Sequence, residues 1–188
     1  SSHNEHANLT LIAKNHLGYK NLIKLISKSQ IVGKTSGIPV IETEWLAEHS
    51  DGLIALSGGF RGHIGKAVLD TNHDLFLKRI KYFQKIFKED FILEISRINR
   101  PQEDLYNDYI LSKAGELGLP VVASNEVRFI DKEDYEAHET RVCIQKGEVL
   151  SDARRTRSYF EDQYFLSPEE MHEKFKDIPE VLSNAYEL

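Results

Sequence analysis

Short apolar runs at residues 9–13, 53–57, 91–95 and 119–124 alternate with stretches whose apolar side chains recur at helical spacing. Runs this short suit strands, and the intervening period suits amphipathic helices. After the first run, Tyr19, Leu22, Ile23 and Ile26 mark a helix, and residues 40–49 form a shorter one stopped at Asp51-Gly52. After the second, Phe76, Ile80, Phe83 and Phe87 make one apolar stripe. After the third, Pro101 opens a helix carrying Leu105, Tyr109 and Leu117, and Gly118 ends it. After the fourth, residues 131–145 read as a helix with acids in its first turn. This alternation predicts βαβ units, hence an α/β fold with a mainly parallel sheet. The right-handed crossover rule places the four runs side by side, with the phenylalanine-rich helix on the outer face.

The remaining chain is more irregular. Ser167-Pro168-Glu169-Glu170 has the form of a capping box with proline at the first helical position, and a last short helix starts near Pro179. Residues 151–163, which contain Arg154, Arg155 and Arg157, read as a long surface loop.

Length and charge narrow the function. A chain of 188 residues can bury a core without staples and is one domain or part of one. Its net charge of −6 argues against nucleic-acid binding over the whole surface. The single cysteine, Cys143, excludes a disulfide framework and a cysteine-cluster zinc site, and fits a reducing cytoplasm. No run approaches the roughly 20 apolar residues of a membrane span, and residues 1–8 lack the apolar core of a signal peptide. Met171 is the only methionine, so the chain reads as an excised piece of a longer protein.

The glycine-rich stretch at residues 57–66 sits where a phosphate-cradling loop would follow a strand, but Phe60 and Ala67 occupy the positions that require glycine and a hydroxyl. A tight strand-to-helix turn is the expectation. Of eight histidines, His3 and His6 lie near the terminus, His16, His49, His73 and His172 read as exposed, His63 lies in the glycine loop, and His138 precedes Glu139 on an expected helix. None forms an H-x-H or H-E-x-x-H pair. In parallel α/β folds, sites form at strand C-termini, which brings Glu94, Asn125, Glu126 and Arg128 onto the face of Gly58 and Gly59. Glu94 and Glu126 could make a two-carboxylate hydrolytic site; Arg128 beside Glu126 favours a salt bridge instead. The three clustered arginines could touch phosphate, but Asp152, Glu161 and Asp162 make a solvated mixed-charge loop the expectation.

Several stretches, in order, resemble one family. They are Leu9-Thr10-Leu11-Ile12-Ala13-Lys14-Asn15 followed by Gly18-Tyr19-Lys20-Asn21-Leu22; Gly52-Leu53-Ile54-Ala55-Leu56-Ser57-Gly58; and Gly118-Leu119-Pro120-Val121-Val122-Ala123-Ser124-Asn125-Glu126-Val127-Arg128-Phe129. Asp134, Ala137-His138-Glu139, Ser167-Pro168-Glu169-Glu170-Met171 and Ile178-Pro179-Glu180 continue the match. The pattern resembles the polymerase and histidinol phosphatase (PHP) domain of bacterial replicative DNA polymerase III alpha subunits. The resemblance implies that residues 1–188 are a partial PHP domain, the later part of a distorted (β/α)7 barrel whose opening strands precede Ser1. A barrel cut in this way is expected to associate through an open sheet edge or to cover that edge with its own terminus.

Metal-binding members of the family line a cleft with histidines, a cysteine and acids. This sequence departs from them: Asn8 stands before the first strand, Gly59 after Ser-Gly, Ile98 in the loop after the third strand, and Glu126-Val127-Arg128 in place of Asp-x-His. With Glu94, these are the vestigial cleft positions. The departures imply no catalytic residue, no metal and no cofactor, with Arg128 pairing with Glu126 or Glu94. The implied role is a scaffold within a DNA-directed DNA polymerase and a docking site for its proofreading exonuclease subunit. The rest of the alpha subunit would be its partner, and DNA would be met through that parent protein. The competing class is a metal-dependent phosphoesterase or proofreading nuclease of the PHP superfamily.

Overall fold

A computed structural model of the protein describes residues 6–35, 37–152 and 154–188; His3 lies outside the described residues. In chain order the elements are β1 (Thr10–Ala13), α1 (His16–Ile31), β2 (Lys34–Thr35), β3 (Ile38–Pro39), α2 (Thr43–Glu48), β4 (Leu53–Leu56), α3 (His63–Leu69), α4 (His73–Phe87), β5 (Phe91–Ser96), α5 (Glu103–Leu117), β6 (Val121–Ser124), α6 (Tyr135–Lys146), α7 (Pro168–Lys174) and α8 (Glu180–Tyr186). The fold is α/β, and among the described residues the main sheet has the order β1-β4-β5-β6. The chain forms two compact units: the described residues up to Glu94 with Tyr109–Val121, and Ile95–Asp108 with Val122–Leu188.

In the first unit, β4 and β5 are parallel, with Ala55 opposite Phe91 and Leu56 opposite Ile92. β1 corrects the expectation of a parallel neighbour. It pairs antiparallel with β4, Thr10 opposite Leu56 and Ala13 opposite Leu53. The reason is local. The excursion from residue 14 to residue 52 leaves and re-enters the pair at the same end, where Lys14 N–H donates to the Gly52 carbonyl at 2.9 Å. Asn15 caps α1 by accepting from Gly18 N–H at 3.0 Å, and Asn21 Nδ2 donates to the Asp51 carbonyl at 2.9 Å. A Cβ on Gly18 would stand 1.9 Å from the Gly52 oxygen, so only glycine lets the two chain segments touch. Closed in this way, the excursion is a wide hairpin, and its flanking strands must run antiparallel.

The stripe of α4 is the core face that its spacing predicts. Phe76, Ile80, Phe83 and Phe87 are all buried, and Phe83 stacks on Phe91 of β5 at 5.3 Å. Two other helices turn differently from their most apolar stripe. α5 buries Tyr106, Ile110 and Ala114, leaving Leu105 and Leu117 exposed. α1 buries Gly18, Asn21, Leu25 and Ser29.

In the second unit, Ser167 caps α7 through a reciprocal box with Glu170, and Pro168 occupies the first turn. Among its described residues, the stretch over 151–163 is a loop with Arg154, Arg157 and Glu161 exposed, as expected, but part of it is buried. Arg155 is ion-paired with Glu139 of α6, their side chains 6% and 2% exposed. Gln163 is fully buried, and Arg128 N–H donates to its carbonyl at 2.7 Å. Phe165 N–H reaches the Ile130 carbonyl at 3.1 Å. The polar composition hides this buried part, because Arg155 and Gln163 find their partners inside the unit instead of in water.

Candidate functional site

The sequence-predicted residues fall into two groups, one in each unit. In the first, the polypeptide leaving β4 turns sharply over the start of α3. Ser57 N–H donates to the Ile92 carbonyl at 2.9 Å, and its hydroxyl accepts from Glu94 N–H at 3.0 Å. Gly58 has a φ of +77°, and a Cβ there would stand 2.1 Å from the Asn8 carbonyl oxygen. Asn8 N–H in turn donates to the Arg61 carbonyl at 3.1 Å. A Cβ on Gly59 would lie 3.9 Å from Cγ of Glu94, so Gly59 faces that buried side chain directly. The fold thus brings Asn8, Gly59 and Glu94 together. The glycine stretch is a strand-to-helix turn, as expected, and the Lys66 ammonium donates to the His6 carbonyl.

The second group holds Ile98, Glu126 and Arg128. Ile98 is fully buried, and its N–H donates to Glu103 Oε2 at 2.7 Å. The Ser96 hydroxyl donates to the other oxygen of Glu103 at 3.0 Å, and Asn107 Nδ2 donates to the Ser96 carbonyl at 2.7 Å. Burial raises the Glu103 pKa above the usual carboxylate value, against the opposing pull of the Ile98 and Ser96 bonds and the nearby Arg100 charge. Glu103 therefore organises the loop after β5 and faces inward.

Glu126 has a cationic partner, but it is Arg100, at 2.7 Å, and not Arg128. The reason is the backbone. Glu126 has a φ of +45°, which breaks the strand alternation that would place side chains 126 and 128 on one face. Arg128 is exposed, with its guanidinium over the Tyr159 ring at 5.8 Å. Gln163 Nε2 locks the turn by donating to the Glu126 carbonyl at 3.0 Å. Asn125 is buried beside it and donates to the Asp162 and Tyr164 carbonyls at 3.0 and 2.7 Å.

Sequence reading missed Arg100, Glu103 and Gln163. Glu103 carries a signal, an acid just after the proline that opens a helix. Gln163 carries none, since its partners are remote backbone atoms.

Among the described residues, no three His, Cys, Asp or Glu side chains converge on one point. His16, His73 and His172 are exposed and His49 is half-buried. His73 Nδ1 is hydrogen-bonded to the Tyr109 hydroxyl at 2.6 Å. His138 packs edge-on against Tyr159 at 4.5 Å, and burial lowers its pKa, aided by Arg141. Three of the residues singled out from the sequence have little to offer a metal. Gly59 has no side chain, Ile98 has no donor atom, and the Glu126 carboxylate is engaged by a guanidinium.

The sequence profile of the PHP domain family matches residues 1–98. The chain is 47% identical over 180 residues to DNA polymerase III subunit alpha of Vibrio cholerae, covering 96% of this chain. It is 44% identical over 184 residues to the same subunit of Escherichia coli K12, covering 98% of this chain. For Pseudomonas aeruginosa the identity is 42% over 180 residues, covering 96%. The chain spans about 16% of the length of the first two of these relatives and 15% of the third. No helix among the described residues is long and apolar enough to cross a membrane.

Proposed function

The chain belongs to the PHP domain family, and from that premise we propose that it is a catalytically silent PHP module of a replicative DNA polymerase III alpha subunit. On this reading residues 1–188 are the later part of a distorted (β/α)7 barrel. The module stabilises the polymerase in the cytoplasm and docks the separate proofreading exonuclease subunit. DNA-directed DNA synthesis belongs to the parent subunit, which meets the DNA. The module itself needs no metal or cofactor.

The observation that carries this reading is the state of the ligand positions. Asn8, Gly59 and Ile98 stand where active members carry His, Cys and His. Glu126, at the Asp-x-His position, already has a cation in Arg100 at 2.7 Å. A guanidinium stays protonated at any physiological pH and supplies the positive charge that an ion would supply. On this reading Glu126 acts as a structural carboxylate that holds a buried cation, and Glu94 is a buried residue of the turn whose backbone N–H donates to the Ser57 hydroxyl.

The test uses the full-length alpha subunit. Elemental analysis after saturation with zinc or manganese should find no stoichiometric ion that depends on Glu94 or Glu126. A phosphoesterase assay under the same conditions should show no turnover, and deleting the module should abolish exonuclease binding in size-exclusion chromatography. Turnover that vanishes with Glu126→Ala would establish the phosphoesterase or nuclease reading instead. Unchanged exonuclease binding without the module would refute the docking role.

A further inference from the structure

α1 is rotated away from its own apolar pattern by one residue, roughly 100° around its axis, so that the stripe is left beside the buried face. Tyr19, Leu22, Ile23 and Ile26 follow the i, i+3, i+4, i+7 spacing that normally faces a core. The face packed into the first unit carries Gly18, Asn21, Leu25 and Ser29 instead. The packing of Gly18 on Gly52 and the Asn21 bond to Asp51 fix that rotation. Tyr19, Ile23 and Ile26 are left 56%, 46% and 55% exposed, in adjacent turns of one helix. A patch of this kind on a helix marks an interaction surface.

Charge identifies what fits it. α1 contains Lys20, Lys24 and Lys28 and no acidic residue, in a chain whose net charge is −6. Lys28 is engaged by Glu48 at 3.5 Å and by the Trp45 ring at 4.5 Å. Lys20 and Lys24, one turn apart beside the apolar stripe, are exposed. We propose that this face of α1 docks an acidic amphipathic helix of a partner protein, whose apolar stripe covers Tyr19, Ile23 and Ile26 while its carboxylates meet Lys20 and Lys24. The geometry is helix against helix, with anchors repeating at i, i+3 or i+4 and i+7 on both sides. The acidic excess of the chain does not extend to α1, so the local charge of this face is complementary to carboxylates. Two lysines beside an apolar stripe match a few carboxylates on one helix but offer too few phosphate contacts for an anionic lipid surface or DNA.

The experiment measures fluorescence anisotropy of the 188-residue chain with a labelled helical peptide of roughly 20 residues. The peptide has leucines at i, i+3, i+4 and i+7 with glutamates flanking them, and its twin has lysine for every glutamate. At low salt the acidic peptide should bind about tenfold tighter than the basic one. The double variant Lys20→Glu with Lys24→Glu should reverse that order. Ile23→Ser should weaken both peptides about tenfold while leaving the circular dichroism melt in place. Binding whose order ignores the charge reversal overturns the proposal, as does absence of saturable binding by the acidic peptide. Tighter binding to phosphatidylglycerol vesicles or to duplex DNA would equally overturn it.

Discussion

Arg100 meets Glu126 at 2.7 Å with the two side chains 5% and 18% exposed, and Glu126 holds that partner from a backbone φ of +45°. A non-glycine residue in this region is held there by its surroundings, at a cost of order 1–3 kcal/mol. The surroundings are the ion pair and the Gln163 bond to the Glu126 carbonyl, with Phe160 under the Arg100 guanidinium at 5.7 Å. The pair ties the loop after β5 to the turn after β6 within the second unit.

Arg100→Met should therefore be severe. It leaves a largely buried carboxylate without its cation and should lower unfolding free energy by about 3 kcal/mol, the low end for breaking a buried pair. Glu126→Gln, which keeps an acceptor for Arg100, should cost less than half of that. Urea denaturation of the two variants at neutral pH compares them; equal losses would contradict the assigned role of the charge.

Glu103 predicts a pH dependence with a definite sign. Burial raises its pKa in the folded protein, so between the ordinary value and the raised one the folded state binds more protons than the unfolded state. The stability this group contributes is full below its unfolded pKa and declines as pH rises through the folded pKa. In Glu103→Gln that decline should be missing, seen as a pH-dependent difference between variant and parent in denaturation series. An oppositely sloped difference would refute the burial argument.

Asp177 behaves in the reverse sense. Two hydrogen bonds from Arg97, at 2.6 and 2.7 Å, depress its pKa from 3.8 to about 2. Its contribution is present above pH 3.8 and fades as the pH falls toward about 2. The side chain is more than half exposed, so Asp177→Asn should cost under about 1 kcal/mol at neutral pH and nothing once Asp177 is protonated. Thermal melts at high and low pH read the difference.

Two glycine-to-alanine changes inside helices should have opposite signs. At Gly115 of α5 an added methyl would have nothing within 4 Å, so Gly115→Ala should stabilise by roughly 0.5–1 kcal/mol through helix propensity. At Gly18 of α1 the methyl would meet the Gly52 oxygen at 1.9 Å, and Gly18→Ala should destabilise by roughly 2–3 kcal/mol as the hairpin ends are forced apart. Calorimetry on both variants checks the pair.

Sequence by itself determined most of the longer elements and much of the family pattern, but not the short β2–β3 pair or the bounds of α3. The spacing of Phe76, Ile80, Phe83 and Phe87 dictates a core-facing helix because a 3.6-residue period puts them on one side. Ser167, Pro168 and Glu170 dictate a helix start because capping involves neighbouring residues only. Gly58 and Gly59 were legible as a turn for the same reason. Tertiary structure alone decided which way β1 runs, which guanidinium Glu126 meets, and which face of α1 is buried. Each of these depends on contacts between residues distant in sequence: Gly18 on Gly52, Arg100 on Glu126, Gln163 on the backbone at 126 and 128. Periodicity records how a segment is patterned along its own axis. The rotation and direction of that segment in the fold are set by close packing and by the need to satisfy every buried polar group.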